Sequence, residues 1–323
     1  MKVLVTGASG FVGRHLISRL STDFCGAEVL AVSGPGSVST GKALDLTDEA
    51  AVHALVDNFA PDMVVHLAAQ SSVGDAARLP KNVWRTNFDG TRALAEAARR
   101  IGTERGRPVH FIFASSAEVY GTQFDKGVCD EDAGYAPRSV YGRTKAACEM
   151  ALFDLAGEDL HATALRLFNH TGPGQDARFV VPALASRVAA LPAGDSGPIP
   201  VGDLQTRRDF TDINDIIDAY LTVMTRERPR GSAFMAFNVG SGCTRTMQSI
   251  VDRMVELRGT PVNVKVEPSM LRSGEIRTMA GSFERFSGVY GWRPKRSFDD
   301  TIRQMLDYAA AQTHAPEENR PRV

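Results

Sequence analysis

The sequence predicts an α/β protein built on a doubly wound parallel sheet, with a smaller C-terminal part interleaved with it. Three observations carry that prediction. Lys2–Leu20, KVLVTGASGFVGRHLISRL, runs from an apolar strand through a glycine turn into an amphipathic helix. Strand and helix patterns then alternate as far as Leu167, the signature of βαβ units with helices on both sheet faces. Beyond Arg166 the alternation gives way to turn-rich segments, which suits a part that closes over a ligand crevice at the strands' carboxyl ends.

In chain order, Val3–Val5 is a buried strand. Gly7, Gly10 and Gly13 follow it as G-x-x-G-x-x-G before the helix. Glycine permits φ > 0 and close backbone approach, and a helix N-terminus offers unpaired N–H groups, so this turn reads as a phosphate cradle. Val29–Ser33 is a second strand, and Asp48–Phe59 a helix with Thr47 as its N-cap. Met63–Leu67 leads into Ala68-Ala69-Gln70-Ser71-Ser72. Pro80–Arg100 is a long helix. His110–Ala114 ends at Ser115-Ser116, Ser139–Leu155 is helical, and His161–Leu167 is a strand. Gly172-Pro173-Gly174 and Ala193–Gly202 are turn-rich. Val180–Leu191, Asn214–Thr225 (begun by Asp212), Met247–Leu257 and Phe298–Ala311 read as helices, and Phe234–Val239 as a strand. The polar tail Thr313–Val323 is expected to be disordered. Residues 1–166, with a returning segment near 209–240, form the sheet domain; 167–208 and 241–312 form the substrate part.

Composition bounds the function. A chain of 323 residues, 43% hydrophobic and 23% charged, is an ordinary globule with room for a large core. A formal net charge of -1 gives no footprint for nucleic acid. Cys25, Cys129, Cys148 and Cys243 form no C-x-x-C pair, so no metal or redox motif is expected, and the usage fits a reducing cytoplasm. The N-terminus enters a strand at once, which leaves no room for a signal peptide, and no apolar run would span a membrane.

Tyr141 and Lys145 sit four apart at a helix start, so phenol and ammonium share one face. Taken alone, such a pair is most often a solvated surface. A nearby ammonium is expected to lower the tyrosine pKa, which suits proton exchange with a carbinol or carbonyl oxygen. Ser116, at a strand's carboxyl end, would hold the same oxygen, or else cap a turn. Glu118, two residues on, is a second acid/base candidate or an exposed carboxylate. Glycine turn, strand-end serine and Tyr/Lys pair agree on hydride transfer with a bound cofactor.

The motifs TGASGFVG (Thr6–Gly13), HLAAQ (His66–Gln70), SSAEVYG (Ser115–Gly121) and YGRTK (Tyr141–Lys145) resemble those of extended short-chain dehydrogenases/reductases of the nucleotide-sugar branch. The resemblance implies a Rossmann-type fold, with Tyr141 as acid/base, Lys145 as its activator and ribose contact, and Ser116 as third member. It implies cofactor contacts from Gly7, Gly10, Phe11, Val12, Gly13, Arg14, Asp45, Leu46, Leu67, Ala68, Ala69, Gln70, Asn87 and Phe168. Arg166–Gln175, Val201–Asp203, Arg208–Asp212 and Leu271–Glu275 resemble the segments of the reductases that act on GDP-linked 4-keto-6-deoxy-mannose. They imply that Ser116, Ala117, Tyr141, Asn169, Arg208, Arg272 and Glu275 meet the nucleotide sugar. An arginine fork suits a pyrophosphate and a carboxylate suits ribose or guanine donors. The plainer alternative for Arg208 and Arg272 is surface pairing with Asp209 or Glu275.

Two departures qualify the resemblance. The second strand ends at Val32-Ser33-Gly34, without the carboxylate that binds a ribose 2′-OH. That favours NADPH, with Arg14 or Lys42 near a 2′-phosphate, and leaves NADH open. Glu118 occurs where dehydratases carry a base, and does not decide between branches. The expected activity is C4 reduction of a GDP-linked 4-keto-6-deoxy sugar to GDP-rhamnose. A 4-epimerase or 4,6-dehydratase and a non-catalytic dinucleotide sensor are the alternatives. The resemblance also implies a homodimer through the helices at 80–100 and 139–155.

Overall fold

The computed structural model describes residues 1–24, 26–37, 41–71, 73–192, 196–259, 261–271 and 275–314. The first half comprises β1 (Lys2–Thr6), α1 (Phe11–Asp23), β2 (Glu28–Ser33), β3 (Lys42–Ala43), α2 (Glu49–Phe59), β4 (Met63–His66), α3 (Val73–Arg78), α4 (Pro80–Val83), α5 (Gly90–Arg105), β5 (Val109–Ser116), α6 (Val140–Leu155) and β6 (Leu160–Leu167). The second comprises β7 (Asn169–Thr171), α7 (Val180–Ala190), β8 (Ile199–Val201), β9 (Arg207–Asp212), α8 (Ile213–Thr225), β10 (Phe234–Val239), β11 (Thr244–Thr246), α9 (Met247–Arg258), β12 (Val264–Val266), β13 (Thr278–Met279), α10 (Glu284–Tyr290) and α11 (Phe298–His314).

Seven strands form one sheet in the order β10-β6-β5-β4-β1-β2-β3, with every neighbouring pair parallel. The chain winds outward from β1 to β3, then starts again at β4 and winds the other way. The order therefore reverses between β1 and β4, and such a switch point opens a crevice at the carboxyl edge. Strand side chains alternate between faces. Val3, Val5, Val65, Ile112 and Leu165 pack with α1, α8 and α10. Leu4, Val64, Phe111 and Phe113 pack with α2, α5 and α6. Full burial of one such side chain contributes about 1.5–3 kcal/mol, so burial on both faces holds these short strands in place.

A separate core joins α7, α9 and α11 with β8 and Phe210 of β9. Phe286, Tyr290 and Trp292 fall in the expected substrate part yet pack into the main-sheet core. β9 is the hub of a small second sheet, pairing with β7, β11 and β13.

Three local expectations are corrected. The N-cap of α2 is Asp48, whose carboxylate accepts from Ala51 N at 3.0 Å; Thr47 instead donates its hydroxyl to Asp45 at 2.8 Å. The stretch from Pro80 is interrupted by a π-helical turn at Trp84–Asp89 and runs on to Arg105. α11 continues through Thr313 to His314; 315–323, the rest of the expected tail, lies outside the described residues. The short strands of the second sheet lack an apolar alternation, and the sequence gives no sign of them.

Candidate active site

Gly7 takes a left-handed conformation, φ 71°. A Cβ there would lie 2.6 Å from Ala68 N, and one on Gly13 would lie 2.2 Å from the Gly7 carbonyl oxygen. The turn is closed down onto the loop after β4 and onto its own helix, which only glycine allows. Gly10, before α1, brings no side chain to the first-turn N–H groups. Those donors and the helix dipole are left for an anion. The cradle therefore fits the diphosphate of a dinucleotide. Phe11 and Val12 open the helix half-buried, and Ala8 N and Ser9 N anchor the turn to Val32 O (3.0 Å) and Ser33 Oγ (3.1 Å).

Ser33 thus ends β2 where a carboxylate would meet a 2′-OH. Arg14 is engaged with protein: it donates to Ser9 O at 2.7 Å and Gly174 O at 2.9 Å, tying the glycine turn to the loop after β7. Lys42 is exposed on edge strand β3, opposite Val32. Asp45 is exposed and accepts from Thr47 N at 2.9 Å; the hydrogen bonds from Thr47 lower its pKa. Leu46 is buried against Gly90.

The loop Leu67–Gln70 lies across the switch point. Asn87, buried in the π turn, receives Gln70 N at 2.8 Å and donates to Gln70 O at 3.3 Å and Thr144 Oγ1 at 3.1 Å. It therefore stitches the loop carrying Ala68 and Ala69 to α6. A π turn at a functional site is a recurrent device. Beneath it His66 contacts Thr6 Oγ1 (2.6 Å) and Thr91 Oγ1 (2.9 Å). Burial, and secondarily Lys145, lower it to about 3, so this ring is neutral.

Tyr141, Lys145 and Ser116 converge at the end of β5. The Ser116 hydroxyl lies close enough to the Tyr141 phenol to pull its pKa downward, and it accepts from Glu118 N at 3.2 Å. Lys145 is buried, donates to Ala114 O at 2.6 Å, and lies 4.5 Å from the Phe113 centroid and 5.7 Å from that of Tyr141. Burial lowers its ammonium to about 8. The expected lowering of Tyr141 is corrected: desolvation raises this phenol well above its usual value, Ser116 opposing and Glu118 adding to the rise. The ammonium is directed at a carbonyl, so its charge does not outweigh lost water. A raised phenol keeps its proton available for donation. The Glu118 carboxylate accepts from Ser139 Oγ at 3.0 Å, and Ser139 caps α6 through Gly142 N at 2.9 Å.

Of the nucleotide-sugar candidates, Asn169, Arg208 and Glu275 meet around β9. Ser116 pairs in register with Leu167, two residues before Asn169, and exposed Asn169 pairs with Phe210 of β9. Arg208 of β9 donates to Glu275 at 3.0 Å. That pairing is the plainer alternative expected for Arg208; the other expected partner, Asp209, is buried and accepts from Ser241 N and Gly242 N. Arg272 lies outside the described residues. Ala117 and Phe168 are both buried in the cluster with Phe124, so their side chains are core, and any ligand contact from them is through backbone. Glu149 and Arg166, buried beside this set, were missed. The signal was available: Glu149 follows Lys145 by the step that separates Lys145 from Tyr141. Among the described residues one group of metal-ligand type, Glu49, His53 and Glu96, occurs; Arg92 bridges its two carboxylates at 3.0 and 2.6 Å.

The family profile described as GDP-mannose 4,6 dehydratase matches residues 4–305. The chain is 29% identical over 309 residues to the GDP-6-deoxy-D-mannose reductase of Pseudomonas aeruginosa, covering 94% of this chain and 96% of that one. Its fold is similar to that of RMD from Pseudomonas aeruginosa complexed with NADPH (TM-score 0.81, 27% identity, 96% and 99% coverage). It is also similar to the UDP-glucose 4-epimerase of Thermus thermophilus in complex with NAD (TM-score 0.80, 28% identity, 96% and 99% coverage).

Proposed function

The chain belongs to the GDP-mannose 4,6-dehydratase family of extended short-chain dehydrogenases, NAD(P)-dependent enzymes of nucleotide sugars, and from that premise we propose that it is a reductase. Its substrate would be a nucleotide-linked 4-keto-6-deoxy sugar, GDP-4-dehydro-6-deoxy-D-mannose, and its product GDP-D-rhamnose. The observation that carries the reading is the Tyr141 phenol, held protonated by burial beside Ser116 and one turn from Lys145 at the crevice edge, in a chain resembling a reductase of that substrate over nearly its full length.

The glycine turn would hold the cofactor diphosphate, with Asp45 at the adenine and the loop Leu67–Gln70 beside the ribose. When bound, the reduced nicotinamide supplies the hydride for sugar C4. Tyr141 passes its hydroxyl proton to the C4 oxygen while Ser116 orients both oxygens. Lys145, which donates to Ala114 O before the reaction, would swing its ammonium toward the phenolate left behind and would hold the nicotinamide ribose. Asn169, Arg208, Glu275 and Arg272 would seat the nucleotide, from the part formed by 167–208 and 241–312. NADPH is the proposed cofactor because Ser33 opposes no charge to a 2′-phosphate. With Arg14 engaged by two carbonyls, Lys42 of β3, in register with Val32, is the cation proposed to meet a 2′-phosphate.

Likeness to the NAD-bound epimerase supports a second reading, in which the cofactor is retained and regenerated within each cycle. Tyr141→Phe tests the shared chemistry. It removes the proton donor and leaves the glycine turn, so turnover is expected to fall by about 10²–10⁴-fold with cofactor affinity nearly intact. Full activity in that variant would refute the role given to Tyr141. Incubation with GDP-4-keto-6-deoxy-mannose and each reduced nicotinamide, followed by NMR of the product, identifies reaction and cofactor together.

A further inference from the structure

α6 carries Tyr141, Lys145 and Glu149 at successive four-residue steps, so one face bears all three. Glu149 is fully buried. Arg166 of β6 grips its carboxylate through Nη2 at 2.8 Å and through Nε at 3.0 and 3.1 Å. The Ser115 hydroxyl donates to the same carboxylate, as does the Tyr135 hydroxyl at 2.9 Å. The Arg166 guanidinium stands 5.1 and 5.2 Å from the ring centroids of Tyr120 and Tyr135. It also donates to the Tyr120 hydroxyl at 2.9 Å and the Glu131 carbonyl at 3.2 Å.

This cluster touches chain neighbours of Ser116, Glu118 and Lys145. Ser115 precedes Ser116, Tyr120 follows Glu118 by two residues, and Glu149 lies one turn beyond Lys145. A buried ion pair brings little net stability over an apolar substitute, so stability alone does not account for it. We infer that the Glu149–Arg166 pair is a positioning device: it locks α6 to the ends of β5 and β6 and places one negative charge behind the Lys145 ammonium. The inference rests on the reading of Tyr141, Lys145 and Ser116 given above. Lys145 faces Tyr141, Cys148 and Glu149 from its own helix, His66 from β4, and the Ala114 carbonyl and Phe113 ring from β5. Asp89 of the π turn acts on Cys148. Among these, Glu149 is the carboxylate that acts on Lys145, and it favours the ammonium.

Glu149→Gln alone would strand a buried guanidinium, so two other variants carry the test. Glu149→Gln/Arg166→Met removes both charges, and Arg166→Lys keeps charge but loses the fork. Lys145 is titrated by NMR of isotope-labelled lysine ε-carbons, its signal assigned with Lys145→Arg. In the double variant the Lys145 midpoint is expected to fall by roughly one pH unit, and the alkaline limb of kcat to fall with it. In Arg166→Lys the midpoint should hold while kcat drops about tenfold to hundredfold and cofactor affinity stays. An unmoved midpoint in the double variant, or full kcat in Arg166→Lys, overturns the inference. The midpoint needs no substrate. Should the native enzyme fail on the 4-keto sugar while the midpoint still moves, the substrate reading falls and the positioning pair stands.

Discussion

A phenol that loses water without a cation at its oxygen binds its proton more tightly, and Tyr141 is in that position. The group that titrates near physiological pH is its neighbour. Lys145, held at about 8 by burial, is charged below that value and loses its charge as pH rises through it. Turnover is therefore expected to decline on the alkaline side with a midpoint near 8, and His66, at about 3, should add no limb near neutrality. A kcat–pH profile flat through the Lys145 midpoint would contradict the role of that ammonium. The residue types and their spacing were legible in the sequence: Tyr141 and Lys145 four apart, Ser116 at a strand end. The sign of the Tyr141 shift was not, because it depends on where one flexible ammonium points. Arg14 shows the same limit, since its two carbonyl partners lie in loops far apart in the chain.

Among the elements, the glycine turn carries the sharpest steric demand. A Cβ on Gly13 would stand 2.2 Å from Gly7 O and 2.8 Å from the Ala8 Cα, both backbone atoms that cannot yield cheaply. Gly13→Ala is expected to cost about 1–3 kcal/mol or more of stability and to weaken cofactor binding at least tenfold. Urea unfolding and cofactor titration check both, and unchanged affinity would exclude the turn as the phosphate cradle. Helices with one apolar face were readable from periodicity, and Asp212 was readable as the start of α8. Thr47 and Asp48 are both good caps, and the choice between them fell to Asp45, which captures the Thr47 hydroxyl. The π turn at Asn87 changes the winding of the chain without changing any residue type. β9, RRDFTD, is a strand because three partners pair with it, not because its sequence alternates.

For the whole molecule, the seven-stranded sheet followed from the alternation of strands and helices, while the second sheet is a product of tertiary pairing. Among the described residues no helix is long and apolar enough to cross a membrane. Met150 and Phe153 of α6 nevertheless leave 50% and 66% of their surface exposed, and Trp84 leaves 37%. Apolar side chains on neighbouring helices suit the homodimer that the family resemblance implies. Phe153→Glu is expected to shift the protein toward monomer in size-exclusion chromatography with light scattering. A native chain that is already monomeric at micromolar concentration would contradict the dimer. The proposed reductase, unlike an epimerase, consumes its reductant. The most direct measurement follows the near-ultraviolet absorbance of NADPH during conversion of GDP-4-keto-6-deoxy-mannose. One NADPH oxidised for each GDP-rhamnose formed is the predicted result. Sugar conversion with no net loss of NADPH would contradict it.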